Sequence, residues 1–214
     1  MDWRFGANCL VTILAILDPL GALAMFLALL GDASHEQRRR GAQLAALTVL
    51  STLIVALLIG RQLLTLLGIS MGAFRVAGGM IILLTGLKML GGPLGQHRRA
   101  SKAPAQAMAR PELQAIVPLG TPLIAGAGSI STVILYEHLA PDPLHVGAVA
   151  AAVALCSALL FLVLRSADRV AGALGEVGMG IAVRLMALIL VAMGVQFMAN
   201  GLIDLFPLLA RAGG

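Results

Sequence analysis

The sequence predicts an all-α, polytopic membrane protein of six transmembrane helices, an inverted 3+3 repeat with a broken first helix in each half. Three observations predict it. Hydrophobic residues make up 59% of the 214-residue chain and charged ones only 12%, about half the roughly 25% that a soluble domain carries. The apolar residues fall into six stretches, each near the roughly 20 residues that cross a bilayer. Proline and glycine interrupt the first stretch of each half.

The elements follow in order. The first stretch runs from about Phe5 to Leu30, with Asp18 as its one charge, and the second, Gly41 to Gly60, has none. The third, about Ile69 to Gly91, carries Arg75 and Lys88 near its ends, where long side chains snorkel to the interface. The fourth runs from Leu113 to about Tyr136, the fifth from Leu144 to Leu164, and the sixth from about Ile181 to Phe206. The chain thus reads as one transmembrane domain: repeat one over about 5–91, a loop over about 92–111, repeat two over about 112–208. Arg4, an apolar run and Ala22-Leu23-Ala24 resemble a cleaved signal peptide. Asp18-Pro19 interrupts that run and the apolar stretch continues past the site, so a retained first helix is expected.

Lysine and arginine set orientation. With the N-terminus outside, the inner side holds Arg38, Arg39, Arg40, Lys88, Arg98, Arg99, Lys102, Arg110, Arg165, Arg169 and Arg184; the outer side holds only Arg4, Arg61, Arg75 and Arg211. Both termini are therefore expected on the periplasmic or extracellular side. The net charge of +5 lies in short clusters between apolar runs, and aromatics are 4%. That placement fits topology signals and lipid headgroups rather than nucleic acid. Cys9 and Cys156 sit inside apolar stretches and read as packing residues.

The halves echo each other. Met71-Gly72 is matched by Met179-Gly180 at an offset of 108, and at that offset Gly79 meets Ala187 and Gly86 meets Gly194. Within each half small residues recur every seven positions: Gly72, Gly79, Gly86, then Gly180, Ala187, Gly194, Gly201. That period keeps them on one helix face, a smooth seam that lets another backbone approach closely. Pro19-Leu20-Gly21 opens one half and Pro118-Leu119-Gly120 the other. Two halves of three helices must run in opposite senses, a recurring transporter design.

These interruptions carry the candidate site. Pro19 removes a backbone donor and Gly21 permits angles a helix does not use. Their counterpart holds Pro118, Gly120, Thr121 and Pro122, then Gly126 and Gly128. Unwound backbone at membrane depth requires burial in protein or a wet cavity, and paired interruptions in equivalent helices point to a midplane substrate site. Proline kinks that only aid packing are the plain alternative. Asp18 costs about 2.5–3.5 kcal/mol at mid-membrane. It is either a cap for a half-helix starting at Pro19 or a cap that also carries a proton or cation. Ser129, Ser131 and Thr132 can bind a polar solute or satisfy freed carbonyls, and a half-helix beginning near Gly128 presents free N–H groups suited to a carboxylate. Gln196, Asn200 and Asp204 form one stripe on the sixth helix, the first two as glue between helices and Asp204 solvated; Glu137 and His138 read as a solvated interfacial face.

Together these segments resemble the MarC family of bacterial inner-membrane proteins, which includes SnatA-type neutral amino-acid transporters. The resemblance rests on Leu17-Asp18-Pro19-Leu20-Gly21, Gln37-Arg38-Arg39-Arg40, the run Gly68 to Gly79, Gly86-Leu87-Lys88-Met89-Leu90, Ala115-Ile116-Val117-Pro118-Leu119, Pro122-Leu123-Ile124-Ala125-Gly126, the run Gly128 to Ile134, Arg184-Leu185-Met186 and Gly194-Val195-Gln196-Phe197. Departures stand at Leu17 and Ala24, where similar members carry Phe and Pro, and at Ala127, where they carry Pro. The resemblance implies six helices, an inner-membrane address and amino-acid transport. The leading expectation is a secondary transporter of small neutral amino acids or similar metabolites, proton-coupled through Asp18. A LysE-like exporter and a structural or regulatory membrane subunit are the alternatives. No enzyme is expected: Gly126-Ala127-Gly128-Ser129 lacks the Gly that an intramembrane serine protease places after Ser, no His lies mid-span, and His-Glu-x-x-His is absent. No nucleotide-binding loop, cofactor or metal pattern occurs. The expected partners are the lipid bilayer and a small solute, with a homo-oligomer left open and no nucleic acid.

Overall fold

The computed structural model describes residues 3–30, 33–91, 126–139 and 142–206. All regular structure among them is α-helical: α1 (Trp3–Leu17), α2 (Pro19–Leu30), α3 (His35–Leu66), α4 (Met71–Gly91), α5 (Ala127–Leu139), α6 (Pro143–Arg165) and α7 (Ala167–Leu205). Among the described residues five stretches are long and apolar enough to cross a membrane: Trp3–Leu27, His35–Leu66, Met71–Gly91, Pro143–Arg165 and Val177–Leu205. The expected fourth helix, from Leu113, lies mostly outside the described residues. Its described part is α5, 13 residues long, about 20 Å at 1.5 Å per residue. The expected loop at 92–111 is likewise outside them.

α6 shows how the sequence sorts its faces without polarity to guide it. Val149, Val153, Cys156, Leu160 and Leu164 repeat at helical spacing and are buried, while Leu155, Leu159 and Leu162 are exposed. Both faces are apolar, because one meets protein and the other lipid. Buried residues of α1, α2, α3, α5 and α6 form the main core, among them Ile13, Leu23, Phe26, Leu53, Val133 and Leu160.

α3 extends beyond the apolar run Gly41–Gly60 at both ends. Its 32 residues measure about 48 Å, well past the roughly 30 Å hydrocarbon core. Ser34 and Gln37 close a capping box at its start. At its end Gly68 takes φ 67°, and the Ile69 and Gly68 N–H groups return to the Leu64 and Thr65 carbonyls at 2.9 and 3.1 Å. This is a Schellman stop, which glycine makes at no steric cost. The last helix also begins earlier than Ile181: α7 starts at Ala167 and bends at Gly175, where φ is 63° and ψ 179°.

The closest packing lies between α4 and α7, on the seven-residue glycine comb. A Cβ placed on Gly72 would stand 3.0 Å from the Gly201 carbonyl oxygen, one on Gly79 2.7 Å from that of Gly194, and one on Gly86 2.9 Å from that of Ala187. Seven residues up α4 match seven residues down α7, so the helices run antiparallel at constant register. The backbones touch because no side chain separates them.

The ends of the helices sort into two faces. Arg38 and Asp168 pair at 2.5 Å, joining the start of α3 to the start of α7. At the opposite face Arg75 pairs with Asp204 at 2.6 Å and Arg61 stands 3.5 Å from Glu137. Phe5, Tyr136 and His145 stack edge to face at that same face.

Candidate functional site

Asp18 breaks the first span. Its φ of 43° is the one positive φ at a non-glycine residue among the described residues, a conformation Asp and Asn adopt more readily than other L-residues. Its N–H still donates to the Leu14 carbonyl at 3.2 Å, completing α1, while its own carbonyl accepts from the Ala22 N–H at 2.9 Å, opening α2. Oδ1 accepts from the Gly21 N–H at 3.1 Å. Pro19 stands at the first helical position, where a missing N–H costs nothing. Asp18 is therefore a hinge residue and an N-cap at once.

Gly21 is needed for that fold-back. A Cβ there would lie 2.1 Å from Asp18 Oδ2 and 2.9 Å from Met89 Cε of α4. Asp18 is 6% exposed, and among the described residues no cation pairs with it. A carboxylate is thus held inside a span by one backbone N–H.

Of the second candidate break, Pro118 to Gly128, the described residues hold the end, at the first turn of α5. Gly126 precedes the helix and its carbonyl accepts from the Ile130 N–H at 3.1 Å. Ser129, Ser131 and Thr132 are all buried. Ser129 Oγ donates to the Gly126 carbonyl at 3.0 Å, and the Ser131 and Thr132 hydroxyls both donate to the Gly128 carbonyl, at 2.9 and 2.8 Å. The sequence left these hydroxyls between solute binding and carbonyl satisfaction. Their protons are spent on carbonyls of their own helix. Pro118, Gly120, Thr121 and Pro122 lie outside the described residues.

The start of α5 lies beside the end of α1 and against α4. A Cβ on Gly128 would stand 3.4 Å from Ile16 Cγ2, two residues before Asp18, and 2.5 Å from Ile82 Cγ1 of α4. Gly128 lets α5 begin flush against both helices. α4 is the shared wall: Met89 reaches Gly21 and Ile82 reaches Gly128.

Two polar readings change and one gains a partner. Glu137, read as part of a solvated face, has a side chain only 14% exposed beside Arg61, because α5 packs against α3 there. Its neighbour His138 is exposed, as expected. Gln196 donates to Asn200 at 2.9 Å along one helix rather than joining two. Asp204 is exposed, as expected, and also pairs across to Arg75. Among the described residues no cluster of His, Cys, Asp or Glu could hold a metal ion.

A bundle of spanning helices with polar backbone interruptions inside it defines a multi-pass integral membrane protein. Residues 3–206 match the family described as MarC family integral membrane protein, and the chain belongs to that family. It is similar to a UPF0056 membrane protein of Methanocaldococcus jannaschii, 33% identical over 202 residues covering 94% of this chain and 98% of the relative. It is 32% identical over 192 residues to a UPF0056 membrane protein of Pyrococcus abyssi, covering 90% and 91% of the two chains. It is 32% identical over 209 residues to the UPF0056 inner membrane protein MarC of Citrobacter koseri, covering 92% and 93%. No solved structure matches.

Proposed function

We propose that this chain is a secondary transporter of small neutral amino acids or similar small metabolites across the bacterial inner membrane, working by alternating access between two inverted halves of three helices. One observation carries the reading: the hinge at Asp18 and the start of α5 at Gly126–Gly128 meet against α4 inside the span region. Main-chain N–H groups at a helix start are suited to a solute's carboxylate. Asp18, held by a single backbone bond, is the proposed carrier of the coupling proton or cation. Both termini lie outside on this reading, with the Arg38–Asp168 face toward the cytoplasm.

The second reading, a non-transporting structural or regulatory subunit, is favoured by the local bonding of Asp18, Ser131 and Thr132, which turn to their own helices. Counterflow of labelled glycine, alanine and serine in proteoliposomes, with and without a pH gradient, separates the two. Transport that responds to the gradient in the parent and not in Asp18→Asn supports the proposal. No solute movement across a broad panel gives the protein to the second reading.

A further inference from the structure

Two glycine joints bound one part of the bundle. Gly68, between α3 and α4, has φ 67°, and Gly175, within α7, has φ 63° with ψ 179°. The second combination is essentially open to glycine alone. A Cβ at either position would meet nothing within 4 Å among the described residues, so neither bend is wedged in place by a neighbour. The joints lie toward opposite faces, Gly68 beside the start of α4 near the Arg75–Asp204 pair and Gly175 on the side of the Arg38–Asp168 pair.

The helices they bound are α4 and Val177–Leu205 of α7, which touch main chain to main chain at Gly72, Gly79 and Gly86. The remaining helices, with residues 167–174 of α7, share the main core. That core takes Ala167 and Val170 from α7, Met179 alone from beyond the bend, and none of the described residues of α4. The ion pairs obey the same division. Arg38–Asp168 and Arg61–Glu137 join helices of the larger part and Arg75–Asp204 joins those of the smaller; among the described residues no ion pair crosses from one to the other. What meets across the boundary includes Met89 against Gly21, Ile82 against Gly128, and Met71 with Phe74 beside Leu64 and Ile134. Apolar contacts of this kind are non-directional, and lipid tails replace them at little cost. The seam and the ion pairs have no such substitute.

We infer that α4 and Val177–Leu205 tilt as one arm about Gly68 and Gly175, opening and closing the space at the Asp18 hinge and the start of α5. The inference rests on the transport reading for its purpose and names the moving part, one helix from each half. An arm jointed once toward each face narrows one end of that space as it widens the other, which alternating access requires. Hinges of a few residues that absorb the backbone change are the usual means of such motions.

Distances between spin labels test the arm without reference to transport. In a Cys9→Ala, Cys156→Ala background, pairs of labels are placed at the exposed Leu87, Leu162 and Leu202, and the full chain is reconstituted in phosphatidylcholine vesicles. Leu87 with Leu202, both on the arm, should give one narrow distance by double electron–electron resonance. Leu87 with Leu162 of α6 should give two, about 5 Å or more apart. Gly175→Ala should change the ratio of those two populations about tenfold, because alanine disfavours that backbone conformation. Gly172→Ala, on helical backbone with nothing within 4 Å of its Cβ, should leave the ratio unchanged. Should Gly175→Ala fail to fold, Gly68→Ala takes its place at the other joint. A single Leu87–Leu162 distance, a Leu87–Leu202 distance that also splits, or a ratio indifferent to the joint variant overturns the inference. Counterflow of labelled glycine, alanine and serine in the same vesicles keeps the two readings apart. Two distances without counterflow sustain the arm and remove the transporter; counterflow with a single distance does the reverse.

Discussion

Replacing Gly79 with alanine tests the α4–α7 seam directly. The added methyl carbon would stand 2.7 Å from the Gly194 carbonyl oxygen and 2.8 Å from the Met198 nitrogen. Both are main-chain atoms and cannot rotate away. Carbon–oxygen contacts settle at about 3.3 Å or more, so the helices must part by roughly half an ångström. A gap of that size forfeits about a quarter of the dispersion energy of the contacts beside it, and overpacking costs about 1–3 kcal/mol. The helix propensity gained on leaving glycine returns up to about 1 kcal/mol. A net loss of about 1–2 kcal/mol follows. Gly147 on the exposed face of α6 meets nothing within 4 Å among the described residues, so Gly147→Ala takes the propensity gain alone. Denaturation in mixed micelles, followed by circular dichroism, should place Gly79→Ala below the parent and Gly147→Ala level with or above it. If the two variants are equally stable, or Gly79→Ala is the more stable, the backbones do not touch as described.

Other substitutions probe the hinge, the ion pairs and the orientation. Asp18→Asn keeps a capping acceptor and tolerates φ 43°, whereas Asp18→Ala loses about 1 kcal/mol of cap and a further 1–2 kcal/mol of left-handed strain; thermal stability in detergent should rank Asn above Ala, and the reverse order would remove the cap. Arg75→Gln and Asp204→Asn should couple by less than about 1 kcal/mol in a double-mutant cycle and less again in high salt, since Asp204 is 42% exposed; a salt-independent coupling of several kcal/mol would contradict that exposure. On intact cells an impermeant maleimide should label Leu66→Cys and spare Glu36→Cys, and the opposite pattern would invert the proposed orientation.

Much of this architecture is legible in the residues. Asp18-Pro19-Leu20-Gly21 specifies a break by chemistry that acts within four residues, so it needs no knowledge of the fold. The glycine comb is visible for the same reason, since its period is a property of a single helix. What the comb meets is a tertiary matter: nothing local says that Gly79 faces Gly194 rather than lipid. α3 is misjudged because hydropathy measures where lipid ends, and a helix continues past that point when capped. The Ser34–Gln37 box and the Gly68 stop were available in the sequence and mark its true ends. Glu137 is the instructive miss, at the far end of α5. A carboxylate at a helix end is ordinarily solvated, and only the packing of α5 on α3 removes it from water.

The α4–α7 contact also bears on the inverted repeat. Gly86 and Gly194 are equivalent at the offset of 108, as are Gly79 and Ala187. Gly79 faces Gly194, the equivalent of Gly86, and Gly86 faces Ala187, the equivalent of Gly79. Exchange of halves at a fixed offset preserves any constant antiparallel register, so the seam accommodates an inverted repeat as it would any close-packed antiparallel pair. The seam also holds α4 as a wall common to the Asp18 hinge and the start of α5, with Met89 toward Gly21 and Ile82 toward Gly128. On the proposed transport reading a solute held there sits against a helix that cannot move alone, because shifting α4 without α7 parts the seam.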